Sequence, residues 1–165
     1  MIKFHTISSF TNVASFPNIK AHVDLNNYAA VEVDHLNGVT AFATAATDGD
    51  DLCIVMQDLF TRIGDLYFED RKIKKNKPAL CIGLKALATR FLNVGASHIT
   101  GGMVAGAWTV VDDDILVPDG TGNWVVPTTA PTDGVYLVVK GFTVIPGDTL
   151  DKANEPAAIV QVVSA

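Results

Sequence analysis

Chemistry at a protein surface needs reactive groups within hydrogen-bond reach of one another, and this chain supplies few. Its four histidines, His5, His22, His35 and His98, lie far apart, with no His-x-His or His-x-x-x-His grouping, so a zinc or iron site would have to be assembled wholly by the fold. Ser97 and His98 are adjacent. In a strand, adjacent side chains point to opposite faces, which argues against the simplest nucleophile and base pair. There is no Gly-x-Ser-x-Gly elbow. Cys53 and Cys81 sit in the apolar runs Leu52-Cys53-Ile54-Val55 and Leu80-Cys81-Ile82, the setting of small buried hydrophobes and not of a metal pair or a disulfide.

The carboxylates offer oxygen ligands at Asp48, Asp50 and Asp51 and again at Asp112, Asp113 and Asp114. Neither group has the spaced pattern ending in glutamate of a calcium loop, and aspartate is what tight turns select, so both are expected to be turns. Paired acids for glycoside hydrolysis would need Asp and Glu side chains of separate strands to meet in space, and of the two mid-chain glutamates, Glu32 and Glu69, only Glu32 falls in an expected strand. Neither Gly-x-Gly-x-x-Gly nor a Gly-Lys-Ser/Thr loop occurs, so nucleotide binding has no support. Trp108 and Trp124, with Tyr136, could form an aromatic platform for sugars, although aromatics on alternating strands are more often core. The expectation is a protein that is not an enzyme, holds no metal and uses no cofactor. A carbohydrate-binding or fibre-like adhesin module is the alternative.

The elements that would position these groups read as strands. Ala30 to Asp34, the Asn37-Gly38 hairpin signal, Val39 to Ala46, the turn Asp48-Gly49-Asp50-Asp51 and Leu52 to Gln57 make a three-stranded meander. Further strands are expected at 89–94, 107–111, 115–117, 123–126, 134–139, 142–145 and 157–163, with turns at Pro118-Asp119-Gly120 and Pro146-Gly147-Asp148. Asp58 to Arg71 carries Leu59, Ile63, Leu66 and Tyr67 at helical spacing and could be one short helix. Short strands separated by regular turns predict an all-β, antiparallel sandwich or barrel over residues 28–165.

Two segments stand apart. Residues 1–27 scatter Phe4, Ile7, Phe10, Val13 and Phe16 among Ser, Thr and Asn, which are weak helix formers, and predict an extended N-terminal arm. Such an arm must lie on its own domain or on a neighbouring subunit, with Phe4, Ile7, Phe10 and Phe16 as the apolar anchors. From Arg71 to Lys77, five of the chain's twelve basic residues fall together, including Lys72, Lys74, Lys75 and Lys77. A run of that kind is usually a solvated loop, here a possible surface-contact loop.

At 48% hydrophobic and 18% charged residues, with a mean hydropathy of +0.28, the 165-residue chain has the makings of a buried core without disulfide support. Its apolar stretches are broken every few residues, short of the roughly 18 to 20 that span a membrane. The N-terminus lacks the pattern of a secretory signal, which predicts synthesis in a cytoplasm. A net charge of −6 argues against nucleic acid as a partner, since phosphate binding draws most of its affinity from a basic face.

The stretch Gly83-Leu84-Lys85-Ala86-Leu87-Ala88-Thr89-Arg90-Phe91-Leu92-Asn93-Val94-Gly95 is followed by a polar turn and a short strand, then by Asp114-Ile115-Leu116-Val117 and Trp124-Val125-Val126. With the ending Ala157-Ala158-Ile159-Val160-Gln161-Val162-Val163, this pattern resembles capsid decoration (cement or auxiliary head) proteins of tailed bacteriophages from about Tyr28 onward. The resemblance implies a β-rich virion protein on the outer capsid surface, made in the host cytoplasm. Its partners would be the major capsid protein and copies of itself around a symmetry axis, with no membrane involved. No catalytic residues come with it. The basic stretch at 71–77 has no counterpart in that pattern.

Overall fold

The computed structural model describes residues 2–4, 15–26, 29–44, 52–55, 73–145 and 154–165, with residues 2–4 and 15–18 as backbone. Thirteen strands run through them: β1 (Ile2–Phe4), β2 (Ser15–Lys20), β3 (Ala30–Asp34), β4 (Val39–Phe42), β5 (Leu52–Val55), β6 (Pro78–Gly83), β7 (Phe91–Gly95), β8 (Met103–Val104), β9 (Ala107–Trp108), β10 (Ile115–Pro118), β11 (Trp124–Val125), β12 (Val135–Ile145) and β13 (Glu155–Ser164). The helical segments among the described residues are single 3-10 turns at Lys85–Leu87 and Ala96–His98. The expected helix at 58–71 lies outside the described residues.

The protein is all-β, and the expected barrel is present, joined to a six-stranded sheet. Strands β2-β4-β3-β5-β6 close into a barrel, and β1-β7-β13-β12-β10-β11 form a six-stranded sheet. β5 explains how the two are joined. Cys53 and Val55 point into the barrel among Val31, Val33, Ala79 and Cys81, while Leu52 and Ile54 point the other way, into a core shared with Leu92, Leu116, Leu137 and Val160 of the sheet. Side chains alternate along a strand, so a strand with apolar neighbours on both faces must be apolar throughout, and all four residues of β5 are buried. Slipping its register by one residue would exchange the two faces and mismatch both cores.

Local chemistry fixes the turns. In the β3–β4 hairpin, the Asp34 carboxylate accepts the backbone amides of Leu36 and Asn37 at 2.9 and 3.0 Å, and Gly38 takes a φ of 64° that glycine adopts at no steric cost. Between β10 and β11, Asp119 Oδ1 accepts the amides of Thr121 (2.7 Å) and Asn123 (3.1 Å), and its other oxygen takes the Thr100 hydroxyl. This loop also stitches the sheet to the barrel, with Gly120 N–H donating to the Ala43 carbonyl and Ala30 N–H to that of Gly122. Gly122, at φ 95°, leaves room for the Phe42 ring, 3.0 Å from where a Cβ would stand.

Several expectations need correction. The barrel closes through one parallel contact, Lys20 beside Val39, so the domain is not wholly antiparallel. Of the two expected resting places for residues 1–27, the described parts take the first, extended on the chain's own domain: β1 pairs with β7, and β2 pairs with β6. Segments 134–139 and 142–145 are one strand, because Lys140-Gly141 forms a β-bulge and not a turn. β6 was not anticipated, since Pro78 and the preceding lysines mask a strand whose pattern shows only from Ala79 to Gly83.

Candidate interaction surface

The lysine run is a folded loop and not a free one. Leu25 and Ile73 exchange backbone hydrogen bonds at 2.9 and 2.8 Å, Ala21 N–H donates to the Lys77 carbonyl at 3.0 Å and Asn76 N–H to that of Ala21 at 2.8 Å. Asp24 completes the anchor: its carboxylate accepts the Lys75 amide at 2.9 Å and pairs with Lys74 Nζ at 2.8 Å. Lys74, Lys75 and Lys77 therefore stand exposed on a pinned segment, with Lys20 exposed at the neighbouring end of β2. An exposed pair such as Lys74–Asp24 adds little stability, but it sets where the charges point. Beneath them, the His22 amide donates to the buried Thr40 hydroxyl oxygen at 3.2 Å, and His22 Nδ1 lies 2.8 Å from the same atom. Burial, and then the charge of Lys75, holds the His22 pKa below its usual value, keeping the ring neutral beside the lysines.

A second surface lies on the sheet. Beyond Val139, β12 has β13 on one side and, among the described residues, no strand on the other. This part of the strand leaves Phe142 38% and Val144 53% exposed. The Trp108 ring packs against Phe142, centroids 4.8 Å apart, and Trp108 is partly buried against the main core. Trp124, by contrast, is fully buried, which removes it from any sugar platform.

The polar groups are engaged in holding turns. Ser97 and His98 sit in a 3-10 turn, not in a strand, and Ser97 is tied to Glu155: its amide donates to Glu155 Oε1 at 3.0 Å and its hydroxyl at 2.5 Å. Burial acts to raise the Glu155 pKa, but the Ser97 bonds oppose it, and the net effect is a lowering. His98 is pushed down to about 4, first by burial, with a hydrogen bond to Asn123 and the charge of Glu155 acting in the opposite direction. Asp113, at φ 70°, pairs with Lys140 at 2.6 Å, and Asp114 accepts the Val111 amide at 2.8 Å, so this aspartate run forms a turn. The run at 48–51 lies outside the described residues. Among the described residues no three His, Cys, Asp or Glu side chains converge to hold a metal ion, and no helix is long and apolar enough to cross a membrane.

The anticipated contact residues are thus only partly brought together. Lys74, Lys75 and Lys77 share one loop, while Lys72 lies outside the described residues. Phe4 stands opposite Leu92 in the sheet and Phe16 opposite Cys81 in the barrel, so they belong to different layers; Ile7 and Phe10 lie outside the described residues. Sequence reasoning missed Phe142 and Val144, whose alternation with Thr143 was the available signal. It also missed Glu155, whose partner Ser97 is 58 positions away. Comparison with protein-family models, with curated proteins and with solved structures finds no match for the chain.

Proposed function

We propose that the chain is a structural virion protein that binds the outer surface of a tailed-phage capsid, through the major capsid protein, and reinforces or decorates it. The observation that carries this reading is the pinned lysine loop. Three exposed lysines, Lys74 of them paired with Asp24, stand on a loop whose backbone is pinned in a chain of net charge −6, which suits the loop to an acidic patch on a partner and to steering its approach. The strand and turn pattern from Gly83 onward, with its resemblance to decoration proteins, supplies the partner. Many weak, identical contacts on a shell add up through multivalency, so no single site needs high affinity.

The test is to image particles from the phage whose genome encodes the chain, with the gene present and deleted. Difference density on the outer shell, restored by adding purified protein, supports the reading; identical particles would overturn it. Charge reversal at Lys75 and Lys77 should weaken rebinding without altering the fold.

A further inference from the structure

We infer that the outer edge of β12 from Gly141 to Ile145 is a self-pairing surface, on which a second copy of the chain adds its own β12 antiparallel, centred on Thr143. A strand edge presents a row of backbone donors and acceptors whose natural partner is another strand. β12 meets β10 at Leu137 and Val138, and Val139 exchanges two further bonds with the Asp113-Asp114 turn, at 2.8 and 2.9 Å. From Gly141 on, no described residue forms a backbone hydrogen bond to that edge, while β13 holds the strand extended through Ile145. The same region carries exposed large apolar side chains, Phe142 and Val144, with Trp108 stacked beside them.

The sequence of the edge selects its occupant and register. Gly141-Phe142-Thr143-Val144-Ile145 has no charge, so an antiparallel copy meets no like charge across the junction. Centring the two-fold axis on Thr143 sets Thr143 against its counterpart and each Phe142 against a Val144 of the other copy. Threonine pairs and aromatic against β-branched pairs are both favourable cross-strand combinations. A register centred on Lys140 would oppose two ammonium groups, and Lys140 is already committed to Asp113. The bulge at Lys140-Gly141 bends the strand where pairing must stop, which confines the contact to a closed dimer and prevents runaway edge addition. This contact is independent of any capsid.

Sedimentation velocity across a concentration series tests the inference. Wild type should pass from monomer to dimer as concentration rises, whereas Thr143→Lys and Thr143→Glu should each remain monomeric by placing like charges on the axis. Mixing the two variants in equal amounts should restore the dimer. Thr143→Cys should form a cross-linked dimer under mild oxidation, while Leu36→Cys, at a position 98% exposed on the β3–β4 hairpin, should not. Native Cys53 and Cys81 are buried, so the cross-link reports on residue 143. A wild type that is monomeric at every concentration, or a dimer that both charge variants leave intact and Thr143→Cys fails to cross-link, would overturn the proposal.

Discussion

The carboxylate of Glu155 occupies the space that a side chain on Gly95 would fill, and from there it accepts both hydrogen bonds of Ser97. Gly95 is the last residue of β7 and Glu155 the first of β13, so the absence of a Cβ lets the start of one strand cap the turn that follows the other. Gly95→Ala should expel the carboxylate and lose both bonds, costing about 1–3 kcal/mol. For a chain of this size that is a fall in melting temperature of roughly 2–12 °C. Glu155→Gln keeps the shape and should cost less. Thermal melts of the two variants check the order.

Stability should fall on mild acidification because of His98. Its folded pKa is about 4, against 6.5 for the free side chain, so between those values the unfolded chain takes up a proton that the folded ring refuses. The melting temperature should therefore drop as pH falls from 6.5 towards 4, and His98→Asn should flatten that part of the profile. The imidazole carbon shift of His98 should still report a neutral ring at a pH of about 5.5.

Trp124 is fully buried, and its indole N–H has no acceptor among the described residues. A donor buried without a partner costs about 1–3 kcal/mol. Trp124→Phe removes that donor while keeping most of the ring volume, so it should stay within about 1 kcal/mol of wild type, whereas Trp124→Ala should lose about 3–5 kcal/mol to the cavity. Urea denaturation of both variants separates the two contributions.

Cys81 has its thiol pushed up to about 12 by burial, and Cys53 lies beside it in the barrel. Since the thiolate is the nucleophile, neither should react with an aromatic disulfide reagent at neutral pH in the folded protein. Both should react once denaturant is added. Rapid labelling of native protein would contradict the packed barrel interior.

The parts of the fold that were legible in the sequence are those decided locally. Asp34, Asn37 and Gly38 make their hairpin from neighbouring atoms, and Asp119 organises its loop from within four residues, so the chain announces both. Leu52 to Val55 reads as a strand from its apolar run, but its place does not: the expected meander would set it beside β4, whereas it pairs with β3 and β6. What stayed hidden depends on distant partners. The N-terminal segment looks like an arm because its Ser, Thr and Asn content is weakly structured, yet β1 and β2 are held by β7 and β6 from far along the chain. Ser97 and His98 read as part of a polar turn, and nothing in their neighbourhood announces that Glu155 and Asn123 meet them. Of the candidate surface, the lysines were visible as a charge run, but their anchor at Asp24 lies 50 positions away.

β5 has one further consequence. Because its alternate residues serve two cores, neither the barrel nor the sheet can be lifted away without wetting Leu52 and Ile54 or opening the wall that carries Cys53 and Val55. The two layers share a keystone, and a calorimeter should record a single endotherm for the whole molecule, with no half-melted species in which one layer outlives the other.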